Sequence, residues 1–209
     1  MHVLCIWNKI RVSSCKFYTT LACKIAPILY IHSMKLDKFL GSKTKVDILK
    51  YLLFRRQGVS IRALEHEIPW TFPAIKKQVD SLEESEVILI DKDASKRSIT
   101  MNPPIAQYMK SLFLYTLERN LFTLFDKYTY MVDQYFLWRI FWKDMELDLV
   151  LIYKNCEKPI LDSIKEEITL LFRDYFIETA QVTFMSLEEF QRRYRLADKF
   201  VLQLMRSKS

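Results

Sequence analysis

In residues 41–58, "GSKTKVDILKYLLFRRQG", the apolar residues Val46, Leu49, Leu52 and Leu53 recur at the three-and-four spacing that puts them on one side of a helix. Ser42 supplies an N-cap, and Gly58 stands just past the Arg55-Arg56 end, where a terminating glycine is expected. Residues 60–68 repeat the arrangement in miniature, with Ser60 as cap and Ile61, Leu64 and Ile68 on one face. Pro69 then disfavours helical backbone at the residue before it. Thr71 is placed to cap a new helix carrying Pro73 in its first turn, where a missing N–H loses no bond. The Pro69–Pro73 stretch therefore reads as a turn between two helices. The second helix, "PAIKKQVDSLEESEVI", turns Ile75, Val79 and Leu82 inward and leaves Lys76, Lys77 and Gln78 outward. After it, "VILIDKDASKRSITMNP" predicts a strand, a turn holding Lys92, Lys96 and Arg97, and a returning strand that ends at Pro103.

From Ile105 to about Tyr130 the chain has no glycine or proline, and apolar residues such as Tyr108, Leu112, Tyr115, Leu121, Phe122 and Phe125 wrap more than one face. Such a helix is predicted to be covered on two sides, either beneath a second domain or against a second subunit, and the pattern leaves both open. Beyond it "YFLWRIFW", "ELDLVLIY" and "TAQVTFMS" predict strands. The amphipathic "KPILDSIKEEITLLFRDYF" lies between the last two, and "SLEEFQRRYRLADKFVLQLM" forms a single closing helix opened by a Ser186–Glu189 capping box. The expected fold class is α+β with a mixed or antiparallel sheet in the second half.

Charge changes the picture less than its total suggests. The net charge of the 209 residues is +7, but residues 1–36 hold five basic residues (Lys9, Arg11, Lys16, Lys24, Lys35) and no acid. That leaves 27 basic against 25 acidic residues from position 37 onward, so basic surface must come as a local patch rather than a global field. Residues 1–33 also carry Cys5, Cys15 and Cys23, and their lysines and arginine interrupt every apolar run that a secretory signal would need. A basic organelle presequence or an extension upstream of Met34 are the remaining readings, the second preferred. Cys156 is solitary, which argues for a reducing cytoplasm, and no run of about 18 apolar residues predicts a membrane span.

The order helix, helix, turn, helix, basic hairpin over residues 34–104 resembles the winged-helix (winged helix-turn-helix) DNA-binding domain of bacterial and archaeal transcription regulators. The resemblance is carried by "LGSKTKVDILKYLL", "SIRALEHEI", "AIKKQVDSLEESEVI" and the hairpin. It implies that the third helix enters the major groove and that the hairpin touches backbone or minor groove. Carried over by position, Thr71, Phe72, Ala74, Lys76, Lys77 and Gln78 would face double-stranded DNA, with Lys92, Lys96 and Arg97 on the wing. The lysines would neutralise phosphates and Gln78 would read a base edge. Outward lysines are also simply solvated on many helices, and winged helices serve as protein-interaction or RNA-binding modules. The acids Glu83, Glu84 and Glu86, late in the same helix, would have to lie away from the phosphates. Trp70 and Phe72 are expected to plug the small core rather than stack on bases. A two-fold DNA site would suit a homodimer, with residues 105–130 as connecting or dimerisation helix.

In "MELDLVLIY" two acids flank one apolar residue on a strand, so Glu146 and Asp148 point to the same side and are weak candidates for a shared divalent metal. This stretch, with "QVTFMSLEEF" later, resembles more weakly, over about residues 130–195, the minimal nucleotidyltransferase domain, within an expected second α+β domain of residues 131–209 that is nucleotidyltransferase-like or regulatory. Two departures decide what that implies. The family's Gly-Ser turn for the triphosphate is missing, since no glycine follows Gly58, and the position of a third carboxylate falls at Gln181. Asp144 is nearby but nothing in the spacing demands it. A nucleotidyltransferase-like fold without catalysis, with no cofactor, is the expectation. Histidines occur only at 2, 32 and 66, which removes Ser-His, Cys-His and histidine-metal chemistry from residues 67–209. The expected function is a cytoplasmic DNA-binding regulator whose second domain dimerises, senses an effector or recruits a protein. The alternatives are a divergent metal-dependent nucleotidyltransferase using Glu146 and Asp148, and a protein-interaction scaffold.

Overall fold

The structure, a computed structural model, describes residues 35–91, 98–140, 146–178 and 180–207. Residues 1–33, with their three cysteines, therefore lie outside the described residues, as do Lys92, Lys96, Arg97 and Asp144. Several helix starts fall where a serine or aspartate side chain accepts one of the first free N–H groups. Helix α1 (Leu36–Leu40) closes at Gly41, whose φ of 74° is the left-handed conformation that a glycine adopts without strain. Helix α2 (Lys43–Phe54) begins at Ser42, whose hydroxyl accepts the Lys45 N–H, and α3 (Ile61–Glu67) begins at Ser60, whose hydroxyl accepts the Ala63 N–H at 3.2 Å. Helix α4 (Phe72–Glu84) buries Ile75, Val79 and Leu82, as its periodicity predicts. Strands β1 (Ile88–Asp91) and β2 (Ser98–Met101) then pair antiparallel.

Gly58 does not terminate α2 directly. The helix ends at Phe54, with the Arg55 N–H returning to the Tyr51 carbonyl. Gly58, at φ 70°, steers the chain alongside β2 instead. Its N–H donates to the Ile99 carbonyl at 2.9 Å, and the Ile99 N–H donates to the Val59 carbonyl at 2.8 Å. The glycine is needed by a turn that satisfies the free edge of a strand, a long-range requirement invisible in the helical pattern.

Helix α5 (Pro103–Asp126) opens on two prolines and runs 24 residues, about 36 Å at 1.5 Å per residue. Strand β3 (Val132–Ile140) pairs antiparallel with β4 (Glu146–Tyr153). Helix α6 (Lys158–Asp174) then crosses over to β5 (Gln181–Ser186), which lies parallel to β4. The result is a three-stranded mixed sheet with β4 in the centre, so the molecule is α+β. Leu149 and Leu151 of β4 join Ile164, Ile168 and Phe172 of α6 in one cluster. Val150 and Ile152, pointing the other way, pack with Phe136, Met185, Phe190, Val201 and Leu204. Burial on both faces explains the unbroken apolar run Leu149–Ile152.

The expected single closing helix is two, α7 (Leu187–Arg195) and α8 (Lys199–Ser207). The break sits at Ala197, which takes a φ of 54°, while the Asp198 carboxylate accepts the N–H groups of Phe200 at 3.0 Å and Val201 at 3.2 Å. Phe190, Val201 and Leu204 keep nearly the phase of one continuous helix, so the apolar pattern alone could not show the kink. Asp198 is the N-cap of α8.

Candidate nucleic-acid interface

The turn between α3 and α4 is held by two contacts from elsewhere in the chain. The Trp70 indole N–H donates to the Asp47 carboxylate of α2 at 2.8 Å, and the ring packs half-buried against the core. Glu65 of α3 accepts the Phe72 N–H at 3.0 Å, and so takes the capping task that the sequence assigns to Thr71, whose side chain makes no capping bond. An acid at a helix N-terminus is also favoured by the helix dipole. Trp70 is therefore a plug, as expected, whereas Phe72 is exposed.

With the turn fixed, α4 presents Thr71, Phe72, Pro73, Lys76 and Lys77 to solvent. Lys76 pairs with Asp80 one turn on, at 2.7 Å, and no ion-pair partner of Lys77 occurs among the described residues. Ala74 and Gln78 are half-buried on the flanks of the helix, so of the six positions expected to meet a ligand these two are the least available. Along α4 the lysines stand towards the turn and the exposed acids Glu84 and Glu86 at the opposite end, while Glu65 sits at the turn itself and Asp80 beside Lys76. The β1–β2 register sets Asp91 against Ser98, and the wing residues Lys92, Lys96 and Arg97 between them are outside the described residues. Asp47 and Glu65 are the contributors that sequence reading missed. Asp47 stands 23 residues from its partner and Glu65 seven from its own, and neither separation is a recognisable motif.

The carboxylate pair on β4 is described in part. The Glu146 side chain lies outside the described residues. Asp148 is half-buried, and desolvation raises its carboxyl above the ordinary value. In register, Asp148 stands opposite Trp138 on β3 and opposite Gln181 on β5. Gln181 thus occupies the position anticipated for a third acid. No group of three or more histidine, cysteine, aspartate or glutamate side chains is placed to hold a metal ion among the described residues. Nor, among them, is any helix long and apolar enough to cross a membrane.

The chain matches no protein-family model, and comparisons with curated proteins and with solved structures find no match.

Proposed function

We propose that the protein is a DNA-binding transcriptional regulator that works in a reducing cytoplasm, with residues 34–104 as a winged helix-turn-helix. The observation that carries this reading is α4. It is a solvent-facing helix, fixed at its N-terminus by Trp70 and Glu65, with Lys76 and Lys77 in its first half and its acids in its second. A recognition helix needs that distribution, because phosphate contacts position the protein and a like-charged end must stay away from them. The antiparallel β1–β2 pair supplies a hairpin beside it whose tip sequence is basic. The second α+β unit, nucleotidyltransferase-like in this reading, serves in sensing, dimerisation or recruitment rather than catalysis. Gln181 opposite Asp148 supports this, since two-metal chemistry wants a carboxylate there.

The test is fluorescence anisotropy of the chain against pooled duplex DNA across a salt series, followed by selection of bound sequences. Tight binding that enriches a two-fold motif is expected. Replacing Lys76 and Lys77 together with alanine should weaken binding to all sequences and flatten the slope of log affinity against log salt by about two. Affinity no better than roughly 10⁻⁴–10⁻⁶ M with no enriched motif refutes the reading. Calorimetry with magnesium and each nucleoside triphosphate tests the competing enzyme, a divergent nucleotidyltransferase using Glu146 and Asp148.

A further inference from the structure

The core takes Ile75, Val79 and Leu82 of α4, and solvent takes Phe72, Pro73, Lys76, Lys77, Asp80 and Glu84. These six follow the three-and-four spacing of one strip along the helix. What the strip can read on DNA is limited by the side chains it lacks. Two hydrogen bonds to one base come from arginine or lysine on guanine and from asparagine or glutamine on adenine, while a carboxylate accepts from cytosine. The strip holds no arginine, asparagine or glutamine, and the one carboxamide of α4, Gln78, is half-buried on its flank. Lys76 and Asp80 hold each other at 2.7 Å. Glu84 stands about three turns from the helix start, the end at which a recognition helix meets base edges.

At that end the exposed side chains are Thr71, Phe72 and Pro73. Phe72 is 37% exposed and belongs to neither hydrophobic cluster, whereas Trp70, two residues earlier, packs on the core. The position of Phe72 is nonetheless fixed, because the Glu65 carboxylate accepts its N–H at 3.0 Å. A phenyl ring neither donates nor accepts a hydrogen bond of the kind that distinguishes base edges. Its complement in the major groove is the one apolar group displayed there, the C5-methyl of thymine. We infer that Phe72 is a specificity residue that covers the thymine methyl, so that α4 selects T·A pairs. This role rests on α4 being the recognition helix of a DNA-binding protein. Lys77, which has no ion-pair partner among the described residues, sets the register on phosphate and carries no sequence information. Covering one methyl-sized group corresponds to about a fourfold gain in affinity.

The experiment uses the full chain and a random-sequence duplex pool, from which bound sequences are selected. Each thymine of a selected duplex is then replaced singly by deoxyuridine, which lacks only the C5-methyl and keeps every hydrogen-bonding group. Anisotropy should find a T·A pair at which this replacement weakens binding about fourfold. Phe72→Ala should bind the thymine duplex more weakly and show no difference between thymine and deoxyuridine at that pair. Lys77→Ala should weaken both duplexes by the same factor. Circular dichroism should be unchanged in both variants, since neither residue belongs to a hydrophobic cluster. The wild-type comparison needs no variant, so a Phe72→Ala chain that failed to fold would leave it decisive. Selected duplexes that bind equally with thymine or deoxyuridine at every position overturn the role of Phe72 and leave the regulator reading standing. So does a folded Phe72→Ala chain that still discriminates at the sensitive pair. Absence of tight binding to any duplex in the pool refutes the regulator reading, and the role of Phe72 falls with it.

Discussion

Replacing Trp70 with phenylalanine isolates the bond that holds the turn before α4. The phenyl ring can occupy most of the indole's place, but it brings no N–H, and the Asp47 carboxylate, in a buried residue, loses its donor at 2.8 Å. A hydrogen bond to a charged group contributes about 1.5–3 kcal/mol net, and a buried acceptor left alone forfeits its solvation without return. A loss of about 2–3 kcal/mol is therefore expected, which for a chain of this size lowers the melting temperature by roughly 4–12 °C. The bond is separated from ring packing by a double-mutant cycle with Asp47→Ala, followed by urea unfolding at constant m-value. Once the carboxylate is gone, Trp70→Phe should cost only the smaller ring. The coupling energy should then be about 1.5–3 kcal/mol. Coupling below about 0.5 kcal/mol would show that the two groups are solvated independently and that the turn is held by packing alone.

Two further perturbations test other parts of the fold. Burial raises the folded pKa of Asp148, so the folded state takes up a proton before the unfolded chain does, and wild-type stability falls as pH rises from the unfolded value through the folded one. Asp148→Asn does not titrate, so it should be more stable than wild type at pH 7 and lose that advantage as pH falls towards about 4. Chemical unfolding at both pH values reads the difference, and an advantage independent of pH would exclude desolvation as its cause. Ala197, exposed at φ 54°, holds a left-handed conformation that costs a residue with a side chain about 1–2 kcal/mol. Relief of that strain exceeds the added flexibility of the unfolded chain, so Ala197→Gly should raise the melting temperature by about 1–4 °C, and a decrease would mean that the α7–α8 kink is unstrained.

How much of this was legible in the sequence varies with the range of the interaction that decides it. The caps Ser42, Ser60 and Ser186 each accept an N–H three residues on, and the inward faces of α4 and α6 follow the 3.6-residue period. Those features are local, and the pattern contains them. Gly58 was misjudged because its partner, Ile99, lies 41 positions away, and the kink at Ala197 because two helices in phase look like one. Thr71 looked like a cap on spacing alone, but its side chain makes no capping bond, and Glu65 instead reaches the N–H of Phe72, the first of the helix, from the preceding helix. At the candidate interface the outward lysines were evident. The half-burial of Ala74 and Gln78 was not, because it depends on how α4 is rolled against α2 and α3.

Helix α2 shows the same limit at larger scale. Its sequence reads as amphipathic, yet Val46, Ile48, Leu49, Tyr51, Leu52, Leu53 and Phe54 are all buried, as is Lys50. The helix packs against α4. It also meets the end of α6, where Tyr51 packs on Phe176 edge-on with ring centres 5.5 Å apart, and Phe54 packs on Tyr175 at 6.2 Å. Lys50 belongs to that contact. Its side chain is 8% exposed, its ammonium donates to both the carboxylate and the carbonyl of Asp174, and it lies 4.2 Å from the centre of the Tyr175 ring. A lysine takes such a position only when an anion, a carbonyl dipole and a ring face together replace the water it gives up. Arg55 and Glu178 add an ion pair at the rim. The C-terminal end of α6, with its negative dipole, is thus docked on the helix that also holds Trp70 through Asp47. Asp47, Lys50, Tyr51 and Phe54 stand at i, i+3, i+4 and i+7, so the Trp70 turn and the end of α6 contact the same face of α2 at successive turns.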